Sequence, residues 1–172
     1  MNHLSSSSKR PTSWANAITL TAKSDPRRRF TDDSAVTVLR PSILVVDDDL
    51  SVARMLRDAL DTWGYDVFLA HNGREGLHVL AGQIVDGILL DIRMPVMDGP
   101  TMLDEIRWLG YQMPVVVMSG DLNGPALRQL VKEDAQGFAI KPFSLPSLEK
   151  LCATVFENHG VDVPSGDHSH VT

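Results

Sequence analysis

Four apolar runs in this chain each stop at a residue that could do chemistry. Ile43-Leu44-Val45-Val46 gives way to Asp47-Asp48-Asp49, and Gly87-Ile88-Leu89-Leu90 to Asp91. The run from Pro114 to Met118 stops at Ser119, and that from Gly137 to Ile140 at Lys141. If the runs are parallel strands, their C-terminal ends share one sheet edge, and open α/β sheets bind ligands at that edge. Three carboxylates, a hydroxyl and an ammonium would then converge. Carboxylates a few Å apart push one another toward protonation unless a cation intervenes. A hard divalent ion such as Mg²⁺ takes oxygen ligands and keeps waters that phosphoryl oxygens can replace. An Asp carboxylate can serve as nucleophile to give an aspartyl phosphate. Metal, ammonium and hydroxyl would spread over the three equatorial oxygens of the group in transfer.

The elements that must position these groups are legible between them. A continuous apolar run such as 43–46 fits a strand buried on both faces. Val52, Leu56, Ala59, Leu60 and Trp63 recur at helical spacing, with Asp49 placed to cap the start and Gly64 the end. Tyr65 to Leu69 reads as a second strand and Gly73 to Leu80 as a short helix. The third strand, 87–90, ends at Asp91, and a loop through Pro95 and Gly99 leads to a helix near Thr101 to Trp108. The fourth strand ends at Ser119. Leu127, Leu130 and Val131 mark a fourth helix opened by Pro125. After the fifth strand, Leu145, Leu148, Leu151 and Val155 form the stripe of a last helix. Five strands alternating with five helices predict a parallel sheet covered on both faces.

Residues from about 42 to 157 resemble the response-regulator receiver domain of two-component signalling. The resemblance rests on Val45-Val46-Asp47-Asp48-Asp49, Leu90-Asp91-Ile92-Arg93-Met94-Pro95, Met97-Asp98-Gly99, Val117-Met118-Ser119-Gly120 and Lys141-Pro142-Phe143. It implies a flavodoxin-like sheet of order 2-1-3-4-5. It also implies that Asp91 is the phosphoacceptor and that Mg²⁺ (or Mn²⁺) is held by Asp48, Asp91 and the backbone carbonyl of Arg93, with Asp47 acting through a metal-bound water. By the same resemblance Ser119 is the hydroxyl that moves onto the phosphoryl group, Phe138 the aromatic that repacks with it, and Lys141 the ammonium that pairs with it. Lys141-Pro142 is expected to be cis. Phe138 has no hydroxyl where some relatives carry Tyr, so its switching would rest on packing. Arg93 and Asp121, two residues past Asp91 and Ser119, are expected to overhang the site and tune access of water to the acyl phosphate.

A rival reading takes Asp47-Asp48-Asp49 as the opening motif of a haloacid-dehalogenase-type phosphohydrolase, with Asp47 as nucleophile and Asp49 as general acid/base. It lacks the acidic pair that family needs after the Lys, and it leaves Asp91 unexplained. A phosphate-independent binding module would not need the full set of acids, Ser119 and Lys141.

Simpler assignments hold elsewhere. Asp49 and Asp98 are expected to be helix caps. His71 and His78 read as loop and surface-helix residues, His159, His168 and His170 as an unassigned set, and Cys152 as inert packing. The Gly73-x-x-Gly76 pattern is too common to imply phosphate binding.

The chain of 172 residues carries a net charge of −6 with 43% apolar residues and one cysteine. This composition is that of a globular domain without an internal disulfide. No run approaches the roughly 18 apolar residues of a membrane span, and no secretory signal opens the chain, so a cytoplasmic protein is expected. Residues 1–40 hold seven basic and three acidic side chains, a net +4 that leaves −10 for the rest. The expected organisation is a disordered basic Ser/Arg-rich arm over 1–40, a receiver over 41–157, and a disordered polar tail over 158–172. Trp14 to Ala22 could add one helical turn to the arm.

The expected phosphodonor, by resemblance, is a histidine kinase or a His-phosphotransfer protein. The fifteen residues after the last helix are too few for a helix-turn-helix domain. The expected output is therefore a protein effector rather than nucleic acid or membrane. It would be reached through the fourth helix, fifth strand and last helix, by a monomer or a weak phosphorylation-dependent dimer. The chain itself is expected to be a switch and not an enzyme.

Overall fold

The structure, a computed structural model, describes residues 40–120 and 135–162. Five strands are present: β1 (Ser42–Val46), β2 (Asp66–Ala70), β3 (Gly87–Asp91), β4 (Val115–Ser119) and β5 (Gly137–Ile140). Among the described residues four helices accompany them: α1 (Leu50–Thr62), α2 (Gly73–Gly82), α3 (Gly99–Trp108) and α4 (Leu145–Asn158). All strand pairs are parallel, as the alternating pattern predicts, and their order β2-β1-β3-β4-β5 is the one the resemblance implied. The helix expected from Leu127, Leu130 and Val131 lies outside the described residues, as do Trp14 to Ala22, Asp121, His168 and His170.

The unbroken apolar strands follow from having a layer on each face. In β1, Leu44 and Val46 join a core with Met102, Leu103 and Ile106 of α3. Ile43 and Val45 point the other way, into a core with Leu56 and Leu60 of α1 and Leu148, Cys152 and Phe156 of α4. Every residue of β1, β3 and β4 is buried. At about 1.5–3 kcal/mol for each large aliphatic side chain removed from water, these three strands contribute a large share of the stabilising burial.

Helix starts are set by side-chain caps. Asp49 accepts from the amides of Ser51 and Val52, Asn72 from that of Glu75, Asp98 from that of Thr101, and Ser144 from that of Ser147. Asp49 and Asp98 are thus the caps expected of them. The C-cap of α1 is Trp63, one residue before the expected Gly64, which follows at φ +92°. Arg40 closes this helix end, with Nε donating to the Gly64 carbonyl and Nη2 to those of Asp61 and Tyr65. A cation among the last carbonyls of a helix is favourable to its dipole.

Several boundaries shift from their expected places. The second strand begins at Asp66 instead of Tyr65, whose amide donates to the Leu60 carbonyl at the end of α1 while its buried ring meets Phe156 edge-on at 5.9 Å. Helix α2 runs on through Gly82, and α3 starts at Gly99 rather than Thr101, directly after its Asp98 cap. Asp91 and Ser119 are the last residues of their strands and remain in the ladders. In α4 the stripe is Leu148, Cys152, Val155 and Phe156, while Leu145 is exposed.

The Gly73-x-x-Gly76 pattern has a packing explanation. A Cβ on Gly73 would fall 2.6 Å from Met97 Cγ, and one on Gly76 would fall 2.6 Å from Met102 Cε. Two glycines one turn apart therefore let α2 lie against α3 and the loop before it.

Candidate functional site

Parallel register carries the polar residues to one edge. Val46 pairs with Leu90, so Asp47 and Asp91 stand side by side at the ends of the two central strands. Asp91 pairs with Met118 and Ser119 with Ile140, which brings Ser119 and Lys141 to the same level. Asp47, Asp91 and Ser119 are buried, Lys141 is half-buried and Asp48 is exposed.

Lys141 bridges the two buried carboxylates. Its Nζ lies 2.7 Å from Asp47 Oδ2 and 2.6 Å from Asp91 Oδ1, within charge-assisted hydrogen-bond range. The remaining oxygens are held by backbone. Asp49 N–H donates to Asp47 Oδ1 at 3.0 Å, and Arg93 N–H to Asp91 Oδ2 at 2.8 Å. The Lys141-Pro142 bond is cis, as the resemblance implied.

Burial raises the Asp47 pKa, and the hydrogen bonds from Lys141 and Asp49 only partly offset it. For Lys141, burial acts to lower the pKa, but the bonds to Asp47 and Asp91 outweigh it and raise it. The site therefore favours an ammonium clasped between carboxylates, with more negative than positive charge present. Asp48 adds a third carboxylate that takes no hydrogen bond from the described residues.

The donor set at this edge suits a hard cation: oxygen atoms only, with one carboxylate free of protein partners among the described residues. No group of three or more His, Cys, Asp or Glu side chains forms a ready metal cluster among the described residues. Coordination would thus draw on carboxylates supplemented by backbone oxygen and water, which is the habit of Mg²⁺.

Sequence reasoning missed three features of the site. Lys141 is engaged with Asp47 as well as Asp91, a pairing that follows from the β1-β3 register and not from spacing in the chain. Gly99 packs on the Asp91 backbone, since a Cβ there would overlap the Asp91 carbonyl oxygen. The only sequence signal for this was the glycine that follows Met97-Asp98. His71, read as a loop residue, is half-buried at this edge, with Nδ1 3.4 Å from the Asp47 carbonyl oxygen. Of the other expected residues, Phe138 is half-buried and packs against the α2/α3 core. Arg93 is exposed, and its guanidinium reaches to within 3.5 Å of the Cβ position of Gly120, across the Asp91–Ser119 edge.

Comparisons with known proteins point to one family. The family model described as response regulator receiver domain matches residues 43–153. The transcriptional regulatory protein ZraR of Escherichia coli K12 is 36% identical over 121 residues, which cover 70% of this chain and 27% of that protein. The response regulator MprA of Mycolicibacterium vanbaalenii is 32% identical over 130 residues, covering 76% of this chain and 56% of the relative. The chain thus spans from about a quarter to about half the length of these two relatives. Among solved structures, the Vibrio cholerae chemotaxis protein CheY4 is 29% identical with a TM-score of 0.63, covering 67% of this chain and 98% of that one. The Francisella response regulator 1452 receiver domain is 26% identical with a TM-score of 0.64, covering 70% and 99%.

Proposed function

Because the chain belongs to the response regulator receiver domain family, we propose that it is a phosphorylation switch in which Asp91 accepts a phosphoryl group from a histidine kinase or a His-phosphotransfer protein. The observation that carries this reading is the setting of Asp91: buried at the end of a central strand, one oxygen on Lys141 and the other on the Arg93 amide. An Asp91 oxygen attacks phosphorus as the bond from phosphorus to the donor imidazole nitrogen breaks, and the histidine, which carries a proton on its other ring nitrogen, departs as neutral imidazole. The carboxylate must leave its present contacts to do so, and Lys141 is placed to follow the new charge onto the phosphoryl oxygens. A bound Mg²⁺ or Mn²⁺ would supply further positive charge, held by Asp48, Asp91, the Arg93 carbonyl and, through water, Asp47.

Ser119 then hydrogen-bonds the phosphoryl group and vacates space that Phe138 fills, which changes the surface around β5 and α4. Arg93, over the edge, and Asp121 tune the lifetime of the acyl phosphate. Signalling proceeds through a protein partner recognised by that altered surface, with the chain a monomer or a weak phosphorylation-dependent dimer. The name of ZraR as a transcriptional regulatory protein favours a second reading of the output, in which the partner is itself a DNA-binding protein.

Intact mass after incubation with a small acyl-phosphate donor tests the proposal. One added phosphoryl group that requires Mg²⁺ and is lost in Asp91→Asn is expected. Addition that survives Asp91→Asn and disappears in Asp47→Asn would overturn the assignment in favour of a hydrolase-type nucleophile.

A further inference from the structure

We propose that the outer face of α3 at its C-terminal end docks a protein partner that presents a cationic side chain next to an apolar one. Trp108 is 83% exposed, the most exposed large hydrophobic side chain among the described residues, and Leu109 beside it is 53% exposed. Neither is needed to end the helix, since Gly110 takes the left-handed turn at φ +87°. Ile84, 55% exposed just past α2, lies at the same end of the α2/α3 layer, where the Tyr111 hydroxyl donates to the Leu80 carbonyl and ties the two elements together.

Charge decides which occupant fits. Asp104 and Glu105 lie four and three residues before Trp108, on the same helical face, and both are exposed. No hydrogen bond or ion pair engages their side chains among the described residues. The cation next in sequence, Arg107, is turned away: Nη1 donates to the Tyr111 and Met113 carbonyls and Nη2 to Gln136 Oε1. An indole with two carboxylates one turn away, and no cation paired with them among the described residues, matches an Arg or Lys that can lie over the ring while its charge meets the carboxylates. A second copy would bring four carboxylates together across a two-fold axis, and an anionic membrane or nucleic acid would meet the same repulsion. Exposed Trp is also the residue type most enriched among side chains that dominate binding energy.

The face is remote from the phosphoryl site. Helix α3 starts at Gly99, packed on the Asp91 carbonyl, and its ten residues carry the chain about 15 Å away to Trp108. Docking here is therefore independent of the state of Asp91 and gives the switch a constitutive attachment point.

The test uses the full chain, ¹⁵N-labelled and unphosphorylated, titrated with three capped synthetic peptides: an Arg/Leu amphipathic peptide, its Glu-for-Arg counterpart, and an Arg/Ser peptide. The Arg/Leu peptide is expected to shift the amide resonances of Glu105 and Leu109 and to weaken with added salt. Affinity should fall at least tenfold in Trp108→Ala and in the double variant Asp104→Lys/Glu105→Lys, and stay unchanged in Asp91→Asn. All three substituted surface positions are exposed, so thermal melts should match the parent and exclude misfolding. The proposal is overturned if the Arg/Leu peptide does not bind, if the acidic or Arg/Ser peptide binds equally well, or if binding survives Trp108→Ala. A Trp108-dependent dimer of the free chain in sedimentation velocity would likewise overturn it, in favour of a second copy.

Discussion

Replacing Lys141 by Met should destabilise the domain far more than loss of an ordinary surface lysine. Methionine keeps most of the side-chain volume but strands the carboxylates of Asp47 and Asp91, which Lys141 bridges at 2.7 and 2.6 Å. Each retains one backbone N–H donor, so desolvation is not wholly uncompensated. Removing one partner of a buried ion pair costs about 3–5 kcal/mol, because the surviving charge is left in low dielectric. The Lys141 side chain is 25% exposed, so water can reach part of the site, and the low end of that range, about 3 kcal/mol, applies. With a urea m-value of about 2 kcal/mol/M, the unfolding midpoint should fall by roughly 1.5 M. The assay is equilibrium urea unfolding followed by far-UV circular dichroism at pH 7.5 with chelator. Adding Asp47→Asn to Lys141→Met should recover part of the loss, since one stranded charge is gone, so the double variant is non-additive. A midpoint shift below about 0.5 M, or additivity in the double variant, would refute this account of the site.

Other consequences follow from single residues. Val96 has φ +68° and the Met97 amide bonds back to the Pro95 carbonyl, a γ-turn of the strained hand centred on a β-branched residue. Val96→Asn should therefore raise stability by about 1 kcal/mol, read from the same urea midpoint. Ser42 Oγ is buried with no hydrogen-bond partner among the described residues, so Ser42→Ala should leave stability unchanged or raise it by up to about 1 kcal/mol. Gly99→Ala should cost about 1–3 kcal/mol, because the new methyl meets the Asp91 carbonyl; it should also slow phosphoryl uptake in the mass assay. Burial pushes the Cys152 thiol up to about 12 and raises the Tyr65 phenol as well. Both groups keep their protons longer in the folded chain than in the unfolded one, so their contribution is complete below about pH 8.5 and is lost as pH climbs from there. Thermal melts should show a falling midpoint between pH 9 and 11, and Cys152 should resist thiol reagents at pH 8 until the chain is unfolded.

The parts of this protein legible in its sequence are those where local pattern and global fold ask for the same residues. Strand β1 is apolar at every position because helices cover both faces, so its apolar run and its ending at Asp47 were readable together. The caps at Asp49 and Asp98 were readable because a short acid before an apolar-periodic segment does the same work in almost any fold. What escaped was set by contacts between distant segments. The edge-on packing of the Tyr65 ring against Phe156, far along the chain, is one such contact. Gly73 and Gly76 looked like a generic motif because their reason lies in Met97 and Met102. The bridging role of Lys141 depends on Asp47 and Asp91 being neighbours across the β1-β3 ladder, which no spacing within the chain expresses.

The geometry of Asp91 suits the proposed switch. Its carboxylate is satisfied by Lys141 on one oxygen and the Arg93 amide on the other, and its own carbonyl bears on Gly99. A phosphoryl group on either oxygen must displace one of these contacts, so the change reaches β5 through Lys141 or the loop after β3 through Arg93. Helix α3 sits between the two consequences. Its first turn touches the Asp91 backbone through Gly99 and packs Met102 against Gly76, while its last turn is fastened by Arg107 to the carbonyls of Tyr111 and Met113. A helix anchored so at both ends resists small displacements at its start. That resistance is what a phosphorylation-independent docking face at Trp108 requires, and it leaves the β5 side, where the half-buried Phe138 stands, as the surface free to respond.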